Sequence, residues 1–89
     1  METNEARLKR LSMRSWRRGT KEMDLVLGPY SDAHLAGMGD AELLVYDDLL
    51  EQNDQDLIVW VMGTQGVPDR FGGLIGRISG FAFKKPDLS

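Results

Sequence analysis

The stretch Gly39–Gly63, GDAELLVYDDLLEQNDQDLIVWVMG, decides the fold class. Leu43, Tyr46, Leu49 and Leu50 recur at three- and four-residue steps, the period of one buried helix face. Asp40 and Glu42 fall in the first turn, where the positive end of the helix dipole favours carboxylates. Asn53-Asp54 then reads as a turn and N-cap. A short apolar helix over residues 55–62 follows, carrying Leu57, Ile58, Trp60 and Val61, with Gly63 as its left-handed stop. Two helices joined by a tight turn leave no room for alternating, β-branched strand patterning, and none occurs elsewhere in the 89 residues.

Working outward, residues 4–17 are amphipathic at the helical period, with Leu8, Leu11, Ser12, Ser15 and Trp16 on one side. Arg7, Arg10, Arg14, Arg17 and Lys21 step by three and four along another side, and Gly19 predicts a break before they can share one straight stripe. A second helix is expected from Gly19, with Gly19-x-x-Glu22 resembling a capping box in which glycine replaces serine. Met23, Val26, Leu27 and Tyr30 form its apolar stripe; Gly28-Pro29 should bend or interrupt it, leaving a weaker continuation to Ala36. Pro68 followed by Phe71, Leu74, Ile75 and Ile78 predicts a fifth helix, weakened by Gly72, Gly73, Gly76 and Gly80. Close helix packing is the expected reason for these glycines. The fold class is therefore all-α, a compact five-helix bundle-like single domain over residues 1–80, with a flexible tail over 81–89.

Absence of cysteine excludes a disulfide scaffold, a Cys-ligated zinc site and a thiol nucleophile. No apolar run approaches the roughly 18 residues of a bilayer span, so no membrane insertion is expected. The start of the chain is polar, which points to a cytoplasmic, bacterial-type setting. The net charge of −3 is segregated. Residues 1–22 carry Arg7, Lys9, Arg10, Arg14, Arg17, Arg18 and Lys21 against three acids; residues 23–69 carry ten acids and no Lys or Arg; Arg70, Arg77, Lys84 and Lys85 follow. Such blocks govern partner choice more than fold. The acidic middle argues against wrapping nucleic acid, although the basic first helix alone would permit it. His34, the only histidine, has no partner at metal-ligand or triad spacing, and Asp47-Asp48-Glu51 and Asp54-Asp56 match no Ca²⁺ loop, so a solvated acidic face is the simpler reading. Trp60 reads as core, and Trp16 as core ahead of a contact residue.

The run Arg17-Arg18-Gly19-Thr20-Lys21-Glu22-Met23-Asp24 contains Arg-Gly-x-x-Glu, followed by Pro29-Tyr30 and by Leu49-Leu50-Glu51-x-x-Asp54-x-Asp56-Leu57-x-x-Trp60-x-Met62-Gly63. Over about residues 5–67 the chain resembles the succinate dehydrogenase assembly factor 2 family, the flavinators. Met23, Tyr30 and Gln55 are mild departures from that pattern, and the glycine-rich fifth segment a larger one. The resemblance implies a five-helix assembly factor, not an enzyme. It would bind the flavoprotein subunit of succinate dehydrogenase, and that of fumarate reductase in bacteria, and promote covalent attachment of FAD to a partner histidine. It implies no cofactor of the chain's own, with FAD carried by the partner. Arg18, Gly19, Glu22 and Asp24, with Pro29 and Tyr30, would contact the partner, while Arg10, Arg14 and Arg17 would anchor an acidic surface of it. The domain is expected to be a monomer. The alternatives are a nucleic-acid-binding or antitoxin-like module using the basic first helix, or a small acidic scaffold.

Overall fold

The computed structural model describes residues 2–63 and 66–82. Five helices follow one another: α1 (Asn4–Trp16), α2 (Lys21–His34) running into a 3-10 turn (Leu35–Gly37), α3 (Asp40–Leu50), α4 (Asp54–Gly63) and α5 (Asp69–Ala82). The described residues contain no strand. The middle helix pair forms as its period dictates: Leu43, Tyr46, Leu49 and Leu50 of α3, and Leu57, Trp60 and Val61 of α4, are all buried. Around them Leu11, Met23, Leu27, Tyr30, Phe71, Ile75 and Ile78 complete one apolar core. Helix α2 is the hub, packing on α1, α4 and α5, while α3 bridges α1 and α5. No helix among the described residues is long and apolar enough to cross a membrane.

Four local expectations need correction. The α2 cap is Thr20, one residue beyond Gly19: its hydroxyl accepts the Met23 N–H at 3.4 Å, an acceptor that glycine lacks. Gly19-x-x-Glu22 is therefore not a capping box. Next, Gly28-Pro29 does not interrupt α2, which runs through to His34. Proline disfavours a helical predecessor mainly by striking its Cβ, and Gly28 has none. The same bare position lets Trp16 in: a β-carbon at Gly28 would come within 2.6 Å of the indole Cε2 and Cε3. Trp16 Nε1 donates to Asp32 Oδ1 at 3.2 Å, and the indole stays 40% exposed, so it is a half-covered surface residue and not core. Third, Gly63 remains helical; the left-handed glycine among the described residues is Gly66, at φ 72°. Fourth, the α5 glycines do not serve close packing. Gly72, Gly73, Gly76 and Gly80 are all exposed, and a β-carbon at Gly72, Gly76 or Gly80 would meet open space.

Helix α5 also includes Phe81 and Ala82, assigned above to the tail, because the Phe81 ring packs edge-on against Tyr30 at 5.6 Å and His34 at 5.4 Å. The remainder of that tail lies outside the described residues.

Candidate functional site

The break between α1 and α2 forms a corner, Arg17–Thr20, held from inside. The Arg18 side chain is only 10% exposed. Its Nε donates to Asp54 Oδ1 at 2.8 Å, Nη1 to the Leu50 carbonyl at 2.5 Å and Nη2 to the Gln52 carbonyl at 2.7 Å. Leu50 ends α3, so Arg18 satisfies a carbonyl that the helix leaves without an internal donor. Asp54 opens α4 and is itself 14% exposed on its side chain. Its second oxygen, Oδ2, accepts the Gly19 N–H at 3.0 Å. One carboxylate thus grips both the side chain of residue 18 and the backbone of residue 19. Asp24, one turn into α2, accepts the Arg18 N–H at 2.6 Å. The corner is fixed at three points before any partner arrives.

Outside this bracing stand Arg17, Gly19, Lys21 and Glu22, all exposed, and Arg17, Lys21 and Glu22 form no ion pair among the described residues. Gly19 has no internal need to be glycine. Its φ is not positive, and a β-carbon would meet only Asp54 Oδ2 at 3.4 Å, the edge of ordinary contact.

The three stripe arginines within α1 are paired within the chain. Arg7 pairs with Asp40 at 2.7 Å, and Arg10 with Asp47 at 3.0 Å and Glu2 at 2.8 Å. Arg14 reaches Asp47 at 3.0 Å and Glu51 at 3.1 Å, and donates to the Leu50 carbonyl at 3.3 Å. The hydrogen bonds from Arg10 hold the Asp47 carboxyl below its ordinary 3.8, and the same bonds to Glu2 and Asp47 keep Arg10 protonated far beyond neutral pH. Beneath this seam Ser15 donates to the Leu11 carbonyl at 2.8 Å. A serine hydroxyl carries a single proton, so Tyr46 is the donor in the 2.6 Å contact with Ser15 Oγ. Burial pushes the Tyr46 phenol up to about 12. Arg10 and Arg14, expected as anchors for a partner, are tied to acids within the chain, whereas Arg17, the third expected anchor, is exposed and has no ion pair among the described residues. Tyr30, also expected to make contact, is buried and stacks on Tyr46, with ring centroids 6.3 Å apart. Pro29 is half-buried.

Asp54 is the residue that sequence reasoning missed. It was legible as a cap, but nothing in linear spacing ties it to Arg18, 36 positions earlier. The signal available was that both residues fall inside the two motif blocks quoted above.

Fold and corner together define an all-helical module whose polar chemistry braces a presented turn. The family described as flavinator of succinate dehydrogenase matches residues 9–82, and the chain belongs to that family. Its curated relatives include succinate dehydrogenase assembly factor 2, mitochondrial, of Meyerozyma guilliermondii, 37% identical over 73 residues, covering 79% of this chain and 54% of the relative. The protein of the same name from Aspergillus terreus is 40% identical over 60 residues, covering 67% and 20%. Succinate dehydrogenase assembly factor 2-B, mitochondrial, of Drosophila persimilis is 34% identical over 76 residues, covering 83% and 48%. The matched stretch spans about half or less of the length of these relatives.

Proposed function

We propose that this chain is an assembly factor that binds the flavoprotein subunit of succinate dehydrogenase, and of fumarate reductase where that enzyme is present, and promotes covalent attachment of FAD to a histidine of that subunit. The observation that carries the reading is Gly19: exposed, unstrained, free of internal crowding, and held in place by Asp54. A glycine that the chain does not need for itself suits close approach by another backbone. Arg17, Lys21 and Glu22 surround it with unpaired charge of both signs, and Trp16 adds a half-covered apolar surface three residues upstream.

The mechanism is a shift of population, with no catalytic group of the chain's own. The chain would bind preferentially the flavoprotein conformation in which FAD and its acceptor histidine lie in reacting geometry. Orientation of that kind lowers barriers by up to roughly 7–11 kcal/mol in well-aligned intramolecular reactions. The rigid corner matters because a mobile one would lose part of its binding energy to its own ordering.

The test is covalent flavin on the purified apo-flavoprotein incubated with FAD and this chain, read by flavin fluorescence of the denatured band. Gly19→Ala should cut the covalent fraction at least tenfold while moving the melting temperature by less than about 2 °C. Glu22→Ala should cut it several-fold. If both variants flavinylate normally and only melt earlier, the corner serves folding alone and the proposal fails.

A further inference from the structure

On another face of the molecule, a groove runs between α3 and α5. It comprises a hollow of about 500 Å³ walled by Tyr30, His34 and Phe81 and a smaller one of about 240 Å³ lined by Arg70. Glu42 and Arg77 line both hollows, so the two adjoin. The groove is open because α5 presents Arg70, Gly73, Arg77 and Gly80 along one stripe, where glycines stand in place of side chains. This accounts for glycines that the core does not require. Arg77 has no ion pair among the described residues, and Arg70 makes a 3.4 Å exposed contact with Asp48 and rests its guanidinium 4.4 Å from the Phe71 ring centroid.

We propose that this groove is a second docking surface, which takes an extended acidic segment of a protein partner, with two carboxylates three residues apart and an apolar ring beyond them. Two arginines seven residues apart on a helix are separated by about 10.5 Å along its axis. On a chain extended as polyproline II, with three residues per turn, carboxylates three residues apart share one face and are separated by about 9.3 Å, a matching step. Past Arg77, the exposed edges of His34 and Phe81, themselves in T-shaped contact at 5.4 Å, offer a ring-lined corner for an aromatic side chain. Glu42 opposes the anion from the α3 side and sets the sign of one test: its removal must strengthen binding.

The groove is tested apart from flavin attachment, with the isolated full chain and synthetic peptides. The probe is an acetylated peptide, Asp-Gly-Gly-Asp-Gly-Gly-Phe-amide, titrated into ¹⁵N-labelled protein. Amide shifts should concentrate at Gly73, Arg77, Gly80 and Phe81, leaving Gly19 and Lys21 unmoved. Arg77→Gln should weaken the peptide at least fivefold, Glu42→Gln should tighten it about threefold, and raising salt from 50 to 500 mM should weaken it severalfold. Both substituted side chains are exposed, so folding is preserved. Equal binding of the bis-asparagine peptide, an unchanged titration with Arg77→Gln, or shifts centred on Gly19 would each overturn the proposal. Phenylacetate binding as tightly as the peptide would do the same, by reducing the groove to a small-molecule pocket.

Discussion

The arginines of α1 and those of α5 carry the same charge and lead opposite lives. Arg7, Arg10 and Arg14 of α1, with Arg18 just beyond its end, face α3 and α4 across a seam, and every one meets a carboxylate. Arg70 and Arg77 border an open groove, and Arg77 meets none among the described residues. Helix packing decides the difference. Helix α1 sets its arginines within ion-pair distance of the acids of α3, while α5, although it also packs on α3, leaves Arg77 beside a groove with no carboxylate in ion-pair range among the described residues. A basic block in a sequence therefore measures neither affinity for anions nor availability to them.

The sharpest way to break this contrast is Arg18→Ala. It strips a nearly buried carboxylate and two carbonyls of their donor and should cost about 3 kcal/mol, lowering the melting temperature by roughly 10–20 °C in calorimetry. Next comes the hydroxyl beneath the seam. A phenol raised in the folded state favours folding below its ordinary value near 10, and that contribution disappears as pH rises toward about 12. Wild-type stability should fall by about 2–3 kcal/mol over that interval, and Tyr46→Phe should flatten the alkaline limb, as followed by circular dichroism. The carboxyl of Asp47 works with the opposite sign. Its depressed value stabilises the fold above 3.8, and the contribution is lost as pH falls through the lower folded-state value. Asp47→Asn should cost about 1 kcal/mol at pH 7 and converge on wild type in acid, measured by urea unfolding. The smallest effect belongs to the other helix: Arg77→Ala should change stability by less than about 0.5 kcal/mol in the same assay. A larger loss there would mean that the groove arginine is structural after all, and the contrast would close.

Much of the architecture was legible in advance because burial writes a period into a helix. The faces of α3 and α4, and the Phe71–Leu74–Ile75–Ile78 stripe of α5, stand where their spacing puts them. The misreadings share one cause: a glycine has no side chain to declare its purpose. Gly19 reads as a cap and gives its N–H to Asp54; Gly28 reads as a break and seats an indole; the α5 glycines read as packing, yet Gly73 and Gly80 line a groove and Gly72 and Gly76 face open space. The motif corner was legible as a motif, through Arg18, Gly19 and Glu22, but not as a mechanism. Its bracing depends on contacts with Leu50, Gln52 and Asp54, which only the folded chain brings near. The ties of Arg10 and Arg14 to Asp47 were not legible for a related reason: that acid lies on another helix, beyond the reach of local charge counting.

The indole resting on Gly28 also gives the molecule an optical handle. Of its two tryptophans, Trp60 is sealed against Phe71, whereas Trp16 remains partly wet at the edge of the corner. In a Trp60→Phe background the remaining emission would come from Trp16 alone, red-shifted while the chain is free and moving to the blue once a subunit closes over it. Capture of the client could then be timed without any attached dye.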